Sequence, residues 1–146
     1  MMDLEISDDV SSRFPGLRAR LLEIRGVRAD PVNEGLESFK EEVYGRIRSA
    51  HSMESIRDDP VFRAYRDFYW SLGIDPTKTR PASEALVRRI VAGRGLPRIN
   101  TLVDSYNLAS AMSGIPLAAF DSDRLAGDTL RMRFSRPGEE FLGIGM

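Results

Sequence analysis

Residues 97–121, PRINTLVDSYNLASAMSGIPLAAFD, are the most informative stretch of the chain. Asn100 has a side chain that caps helices, and Gly114 is the residue type that commonly follows a helix end. We therefore predict a helix from Asn100 to about Ser113. The residues that follow, Ile115–Phe120, are apolar and predict a strand.

Polar and small residues recur along one face of this predicted helix. Steps of four and three place them on a single stripe, because residues at these spacings lie above one another. Such a stripe either lines a pocket or lies beneath closely packed backbone, and both interpretations stay open. We interpret Asn100 as the cap and Asp104 as a structural hydrogen-bond partner, whereas helix propensity does not explain Asn107. The stripe consists of Asn100, Asp104, Asn107, Ala111 and Gly114, and the opposite side of Leu102, Val103, Tyr106, Ala109 and Met112.

Three further helices are predicted upstream of this stretch. Their apolar residues recur at helical spacings, and a capping residue or a proline stands near each start. The second of them is rich in aromatic side chains, which indicates a position in the core. The predicted ranges run from Asn33 to about Ser49, from Asp58 or Asp59 to just before Gly73, and from about Pro81 to Ala92.

Strands are predicted nearer the two ends of the chain. Leu4–Ile6 is a short candidate, and capping residues follow it before a helical turn that ends at Phe14. Leu17–Val27 alternates loosely between apolar and polar residues and predicts another strand. Thr129–Phe134 and Glu140–Ile144 are two more candidates, and the turn residues between them predict a hairpin.

The composition predicts one globular domain spanning residues 1–146. The chain is 42% hydrophobic and 29% charged, and its formal net charge of −1 argues against nonspecific binding to nucleic acid. It has no cysteine, which excludes disulfides and thiolate chemistry. The acidic N-terminus does not resemble a signal peptide, and no apolar run is long enough to span a bilayer. We therefore expect a cytoplasmic protein with no membrane partner.

The motifs in residues 97–121 resemble those of a tRNA-editing family. R-I-N-T-L-V-D at 98–104, then Asn107 and G-I-P-L-A-A-F-D at 114–121, are similar to the B3 half of the B3/B4 module of the phenylalanyl-tRNA synthetase β subunit. The resemblance extends from about Asp59 to the C-terminus and includes free-standing relatives of the module. It implies an α+β fold in which helices flank a mixed β-sheet, here without the usual C-terminal half.

The resemblance also implies that part of the sheet is missing from this chain. The family module continues through a B4 half, whereas this sequence stops at Met146. Either the chain is a shortened relative or a partner completes the sheet. Because an unpaired edge invites another strand, a homo-oligomer formed through an open sheet edge is one expectation.

The function implied by the resemblance is binding of tRNA or aminoacyl-tRNA, with hydrolysis of a mischarged ester in trans. Synthetase members of the family remove tyrosine wrongly joined to the phenylalanine tRNA. Asn107 matches an asparagine of their pocket, but Ala118 stands where they have a histidine. A noncatalytic RNA-binding or structural role is therefore the alternative, and no catalytic residue is assigned. The expected pocket residues are Tyr106, Asn107, Pro116 and Ala118.

Basic residues are concentrated between Thr77 and Arg98, where Glu84 is the one acidic residue. They form either a solvated, partly ion-paired face or a patch that follows the phosphates of a tRNA acceptor end. We interpret the single histidine, His51, as a solvated loop residue, and we expect neither a metal nor a cofactor. The expected tRNA-binding residues are Lys78, Arg80, Arg88, Arg89, Arg94 and Arg98.

Overall fold

The computed structural model describes residues 1–141. Within this part the chain forms helices joined by loops, together with two short strands. The α+β class is therefore confirmed, with most of the regular structure in helices. In chain order the elements are β1 (Asp3–Ile6), α1 (Asp8–Arg13), α2 (Glu34–Ala50), α3 (Met53–Asp58), α4 (Pro60–Ser71), α5 (Ala82–Val91), α6 (Thr101–Ser113), a short 3-10 helix (Ser122–Arg124) and β2 (Thr129–Met132).

The chain divides into two compact units. The first unit combines residues 1–26 with the described residues from 120 onward, and the second comprises residues 27–119. β1, α1, the 3-10 helix and β2 belong to the first unit, and α2 to α6 belong to the second. The organisation of residues 1–146 as one domain stays a prediction.

β1 and β2 pair in parallel to form the sheet of the first unit. Leu4 lies opposite Leu130 and Ile6 opposite Met132. The predicted strand Leu4–Ile6 is thus confirmed. In the described part of the chain the sheet has these two parallel strands, so its strands join segments from opposite ends of the sequence.

The C-terminal hairpin expected from the sequence is confirmed only for its first strand. Thr129–Phe134 contains β2, which ends at Met132. Of the second arm, Glu140 and Phe141 are not in a strand, and residues 142–144 lie outside the described residues.

Two other predicted strands are wrong. Leu17–Val27 forms neither helix nor strand, and its Leu22 and Ile24 side chains are 83% and 72% exposed. Ile115–Phe120 is irregular as well, with Phe120 64% exposed. An apolar pattern favours a strand only where a neighbouring strand accepts its hydrogen bonds and covers its side chains. In the described part of the chain, neither segment has such a neighbour.

The core of the second unit lies where α2, α5 and α6 pack together. The shorter helices α3 and α4 close it with Ile56 and Phe62. Burial of these side chains stabilises the unit because apolar surface leaves water. α5 and α6, which carry most of the candidate site residues, are therefore fixed by one shared core. Its other members are Val43, Tyr44, Ile47, Val87, Ile90, Leu96, Leu108 and Ala111.

The core position predicted for the aromatic helix is confirmed for Phe62 alone. That side chain is 3% exposed, whereas Trp70 of the same helix is 55% exposed. Tyr65, Phe68 and Tyr69 are half-buried. α4 therefore packs one aromatic face against the core, and the indole ring of Trp70 is exposed to solvent.

The helix boundaries follow the caps predicted from the sequence. Asn33 accepts a hydrogen bond from Leu36 N at 3.0 Å, and Asp59 accepts one from Val61 N at 2.9 Å. Gly114 ends α6 in the left-handed conformation, with φ of 73°. These local hydrogen bonds satisfy backbone groups that a helix end leaves without partners.

α3 was not predicted from the sequence and occupies part of the expected loop after α2. Ser52 and Ser55 bond reciprocally, since each side chain accepts from the other's backbone N–H. This capping box starts a helix of only six residues, Met53–Asp58. Its apolar pattern is too short to recognise by periodicity.

Candidate functional site

The polar and small stripe of α6 faces the interior of the second unit. Asp104 and Ala111 are 2% and 5% exposed, and Gly114 is buried as well. A side-chain carbon on Gly114 would lie 3.4 Å from Cγ1 of Val61 in α4. Met112, on the opposite side of α6, is 49% exposed. Small residues therefore let neighbouring helices approach. This agrees with the interpretation that the stripe lies beneath closely packed backbone.

Asp104 is held in this interior by two hydrogen bonds. Its carboxylate accepts from Lys40 Nζ at 2.6 Å and from Ile99 N at 2.9 Å. Burial alone raises the pKa of Asp104, but the bonds from Lys40 and Ile99 outweigh it, so the pKa lies below its ordinary value. The structural role predicted for Asp104 is confirmed.

Lys40 links Asp104 to a second acidic residue on its own helix. Its ammonium group donates to Glu37 Oε1 at 2.7 Å, and Arg98 donates to the other oxygen of Glu37 at 2.8 Å. Burial lowers the pKa of Lys40, but its bonds to Asp104 and Glu37 raise it above the ordinary value. The network therefore ties α2 to the segment that leads into α6.

The start of α6 is fixed by a capping side chain and by bonds to a distant segment. Asn100 accepts a hydrogen bond from Val103 N at 2.9 Å, as predicted. The next residue, Thr101, exchanges bonds with Asp30: its N–H donates to the Asp30 carbonyl, and its hydroxyl accepts from Asp30 N. The R-I-N-T-L-V-D segment thus serves to start and anchor α6.

Asn107 differs from the other polar residues on this side of α6. It is half-buried, and within residues 1–141 its side chain has no hydrogen-bond partner. Ser110, one turn further along, is buried and donates to the Ile115 carbonyl at 2.7 Å. An amide offers two donors and one acceptor, so the Asn107 side chain has unused capacity for a ligand.

The remaining predicted pocket residues lie on or just after α6. Tyr106 is half-buried beside Asn107, Pro116 is half-buried, and Ala118 is exposed. The hydrogen bond from Ser110 to Ile115 fixes the start of the segment that carries Pro116. Two cavities of about 210 and 370 Å³ lie in the first unit, and none of these residues lines them. Pocket formation by the four residues stays a prediction.

The six predicted tRNA-binding cations are distributed around α5 and the loop that follows it. Lys78 and Arg80 precede the helix, Arg88 and Arg89 lie in its last turn, and Arg94 follows it. A helix of this length spans roughly 15 Å, so the backbone positions lie near its two ends. The side chains of Arg80 and Arg88 nevertheless meet, because both reach Oε1 of Glu84. Arg98 lies further along and bonds Glu37.

Some of these cations are already engaged within the protein. Arg88 bonds Glu84 at 2.7 Å, and Arg89 donates to the neutral Gly95 carbonyl at 2.6 Å. Lys78 and Arg94 have no side-chain hydrogen bond or ion pair within residues 1–141. The ion-paired interpretation therefore applies to Arg80, Arg88 and Arg98. Lys78, Arg89 and Arg94 have no ion pair in the described part of the chain.

Sequence reasoning missed one charged cluster, which centres on Glu84. This carboxylate is 1% exposed, and its Oε1 atom lies close to Arg66, Arg80 and Arg88. The i,i+4 spacing of Arg80, Glu84 and Arg88 was a signal for two of these contacts. Arg66 comes from α4, and no local pattern connects it to α5.

His51 does not join a chemical cluster in the described part of the chain. It follows α2, is half-buried, and lies with its ring centre 6.4 Å from that of Phe62. Among residues 1–141, no group of three or more His, Asp or Glu side chains is arranged to hold a metal ion.

In the described part of the chain, no helix has the length and apolar character of a membrane-spanning segment.

Comparison with known proteins identifies the class to which this chain belongs. Residues 64–146 match the B3/4 domain, which is more than half of the chain, so the protein belongs to the B3/4 domain family. The match begins within α4 and includes Arg66, α5 and α6. The resemblance expected from residues 97–121 is thereby confirmed.

Two curated relatives are similar to about half of this chain. The chain is 36% identical over 76 residues to the phenylalanine–tRNA ligase β subunit of Gloeobacter violaceus, and equally identical over the same length to that of Solibacter usitatus. The aligned stretch covers 52% of this chain and 10% of each relative. The chain thus spans about a tenth of the length of these relatives. No solved structure matches it.

Proposed function

We propose that this B3/4 domain binds the aminoacyl end of tRNA in the cytoplasm and hydrolyses mischarged aminoacyl-tRNA in trans. Two relatives that are 36% identical to this chain over 76 residues are β subunits of phenylalanine–tRNA ligase. The observation that carries the proposal is the unpartnered, half-buried amide of Asn107 on α6. It matches the asparagine at the same motif position in the family's pocket.

Asn107 is suited to contact a ligand because its surroundings are otherwise satisfied. On this side of α6 the carboxylate of Asp104 and the hydroxyl of Ser110 both have protein partners. The Asn107 amide is accessible to solvent, so a ligand would replace water at its donors and its acceptor. A substrate that supplies a carbonyl oxygen or an ammonium group would satisfy it.

The reaction that such a site supports is ester hydrolysis by water. Water adds to the ester carbonyl, the bond to the tRNA ribose oxygen breaks, and the products are the free amino acid and tRNA. The Asn107 amide can donate to the carbonyl oxygen as negative charge develops on it. Ala118 supplies no general base, so the rate depends on positioning of the ester and of the water.

Deacylation of a panel of mischarged tRNAs tests this function. We expect at least one substrate to lose its amino acid faster than in buffer, and Asn107→Ala to slow that reaction by about 10²-fold. Ser105→Ala is the matched control, because Ser105 is exposed on the same helix and its hydroxyl donates to the Thr101 carbonyl, its one side-chain partner within residues 1–141. Buffer rates for the whole panel would exclude hydrolysis.

A noncatalytic tRNA-binding module is the second candidate, and the Ala118 side chain favours it. Position 118 offers no donor, acceptor or base to an ester. Salt-dependent binding of tRNA without release of any amino acid would select this function over hydrolysis. Absence of both binding and deacylation would remove the two candidates together.

A further inference from the structure

Three arginine side chains converge on one buried carboxylate in the second unit. Oε1 of Glu84 lies 2.7 Å from Arg88 Nε, 2.9 Å from Arg66 NH1 and 3.8 Å from Arg80 Nε. The arginines come from α5, from α4 and from the loop before α5. Their guanidinium groups therefore surround a single oxygen atom, with Arg80 and Arg88 each four residues from Glu84 and Arg66 on a different helix.

The cluster has more positive than negative charge. One carboxylate balances one guanidinium, so two positive charges are in excess among these four residues. The arginine side chains are also partly removed from water, with exposed fractions of 18% for Arg66, 40% for Arg80 and 21% for Arg88. Excess charge in a partly buried position favours binding of an anion.

The cluster also has hydrogen-bond donors to spare. Each guanidinium carries five N–H groups, and few of them are used here. Arg88 donates to Glu84 and contacts the Met53 sulfur at 3.9 Å, and Arg66 also donates to the Arg57 carbonyl. Arg80 makes no hydrogen bond within residues 1–141. Its Nε lies 3.8 Å from Glu84, and none of its five N–H groups is used in a hydrogen bond in this part of the chain.

We propose that Arg66, Arg80 and Arg88, oriented by Glu84, bind one backbone phosphate of an RNA substrate. Planar guanidinium forks match the oxygens of a phosphate, and several forks can share one group. Glu84 is the positioning residue, since its hydrogen bond from Arg88 and its ion pair with Arg66 fix two forks. The longer ion pair with Arg80 leaves that side chain able to close on the ligand. The inference rests on the proposed function, because it assigns the phosphate to the tRNA that carries the ester.

Binding of a fluorescein-labelled RNA hairpin with a single-stranded end, followed by anisotropy over a series of salt concentrations, tests this site. Arg80→Ala is the informative variant, because Arg80 is the most exposed of the three and makes no hydrogen bond in the described part of the chain. We expect weaker binding and a slope of log K against log salt that is smaller by about 0.7, the value for one lost phosphate contact on a single strand.

Arg46→Ala is the matched control for charge. Arg46 is an exposed arginine of α2, paired with Glu42 at 2.9 Å and outside the Glu84 cluster. Its removal changes the net charge of the protein equally, so we expect the salt slope of the unchanged protein. Equal slopes and affinities for the Arg80 and Arg46 variants would overturn the proposed site and leave tRNA binding itself intact.

A second measurement locates the anion without any substitution. Titration of the wild-type protein with inorganic phosphate, followed by NMR of the arginine Nε–H groups, should shift the signals of Arg80 and Arg88 and leave Arg46 unchanged. If the RNA does not bind at all, the proposed function fails, and this titration alone decides the site. Arg80 and Arg88 signals that stay fixed at every phosphate concentration would exclude it.

Discussion

Lys40 and Asp104 bring opposite charges together in the interior of the second unit, where their side chains are 4% and 2% exposed. Removal of both charges from water is costly, and the short bond between them together with the Ile99 N–H offsets that cost. The pair therefore adds little net stability compared with an apolar pair. Removal of one of the two charges is strongly destabilising, because the other charge then lies buried without its partner.

The substitution Asp104→Asn tests this asymmetry. It leaves the Lys40 charge in the interior with Glu37 alone, so we expect the free energy of unfolding to fall by about 3 kcal/mol. Urea unfolding measures the change. Glu42→Gln, which breaks the exposed pair with Arg46, should stay within about 1 kcal/mol of the wild type. Equal effects of the two variants would contradict the buried role.

The pH dependence of stability follows from the same residue. The pKa of Asp104 is lower in the folded protein than the ordinary value of 3.8, so the unfolded chain binds the proton more readily. Its contribution is complete above pH 3.8 and is lost as the pH falls through the folded pKa. Wild-type stability should therefore drop in this acid range more steeply than that of Asp104→Asn, as urea unfolding at several pH values would reveal.

Local roles at the residue scale were predictable from the sequence, and distant ones were not. Asn100 caps its own helix, and Asp104 accepts from the nearby Ile99 N–H, so residue type and spacing indicated these local bonds. The bond of Asp104 to Lys40 of α2 joins distant segments and was not predicted. Arg66 meets Glu84 only because α4 and α5 are brought together by tertiary packing. Neither periodicity nor a motif in a single sequence indicates that contact, so the charged cluster was not predicted.

At the scale of elements, helices were predictable because their ends are marked by local hydrogen bonds. Asn33, Asp59 and Asn100 all cap the helices that the sequence assigned to them. Strands depend on partners elsewhere in the chain: β1 pairs with a segment more than a hundred residues away, whereas Leu17–Val27 has a strand-like pattern without forming one. Pattern alone cannot distinguish these two cases.

The α6 cap offers a test at this scale. Asn100→Ala removes the acceptor for Val103 N, and we expect it to lower the free energy of unfolding by about 1 kcal/mol. Asn100→Ser keeps a capping oxygen and should remain close to the wild type. Thermal or urea unfolding distinguishes the two variants. A loss of equal size in both would mean that the amide serves another contact than the cap.

At the scale of the whole molecule, the first unit has a sheet with unfinished edges. In the described part of the chain, β1 and β2 bond only to each other, and a two-stranded sheet is marginal in stability. Asp3 N donates to the Asp128 carbonyl and Ser7 N to the Met132 carbonyl. Alternate residues of a strand face opposite edges, so the Thr129 N–H points away from β1.

Because this edge leaves backbone groups unpaired, we predict that the chain associates with a second copy through strand pairing. Light scattering should give a mass that rises toward that of a dimer as the protein concentration increases. Thr129→Pro removes the N–H on the open edge but no bond to β1, and proline is tolerated at the first residue of a strand. The variant should therefore stay monomeric while keeping its circular dichroism spectrum. If the unsubstituted protein is a monomer at every concentration, the edge does not bind a second copy, and association plays no part in the proposed binding of tRNA.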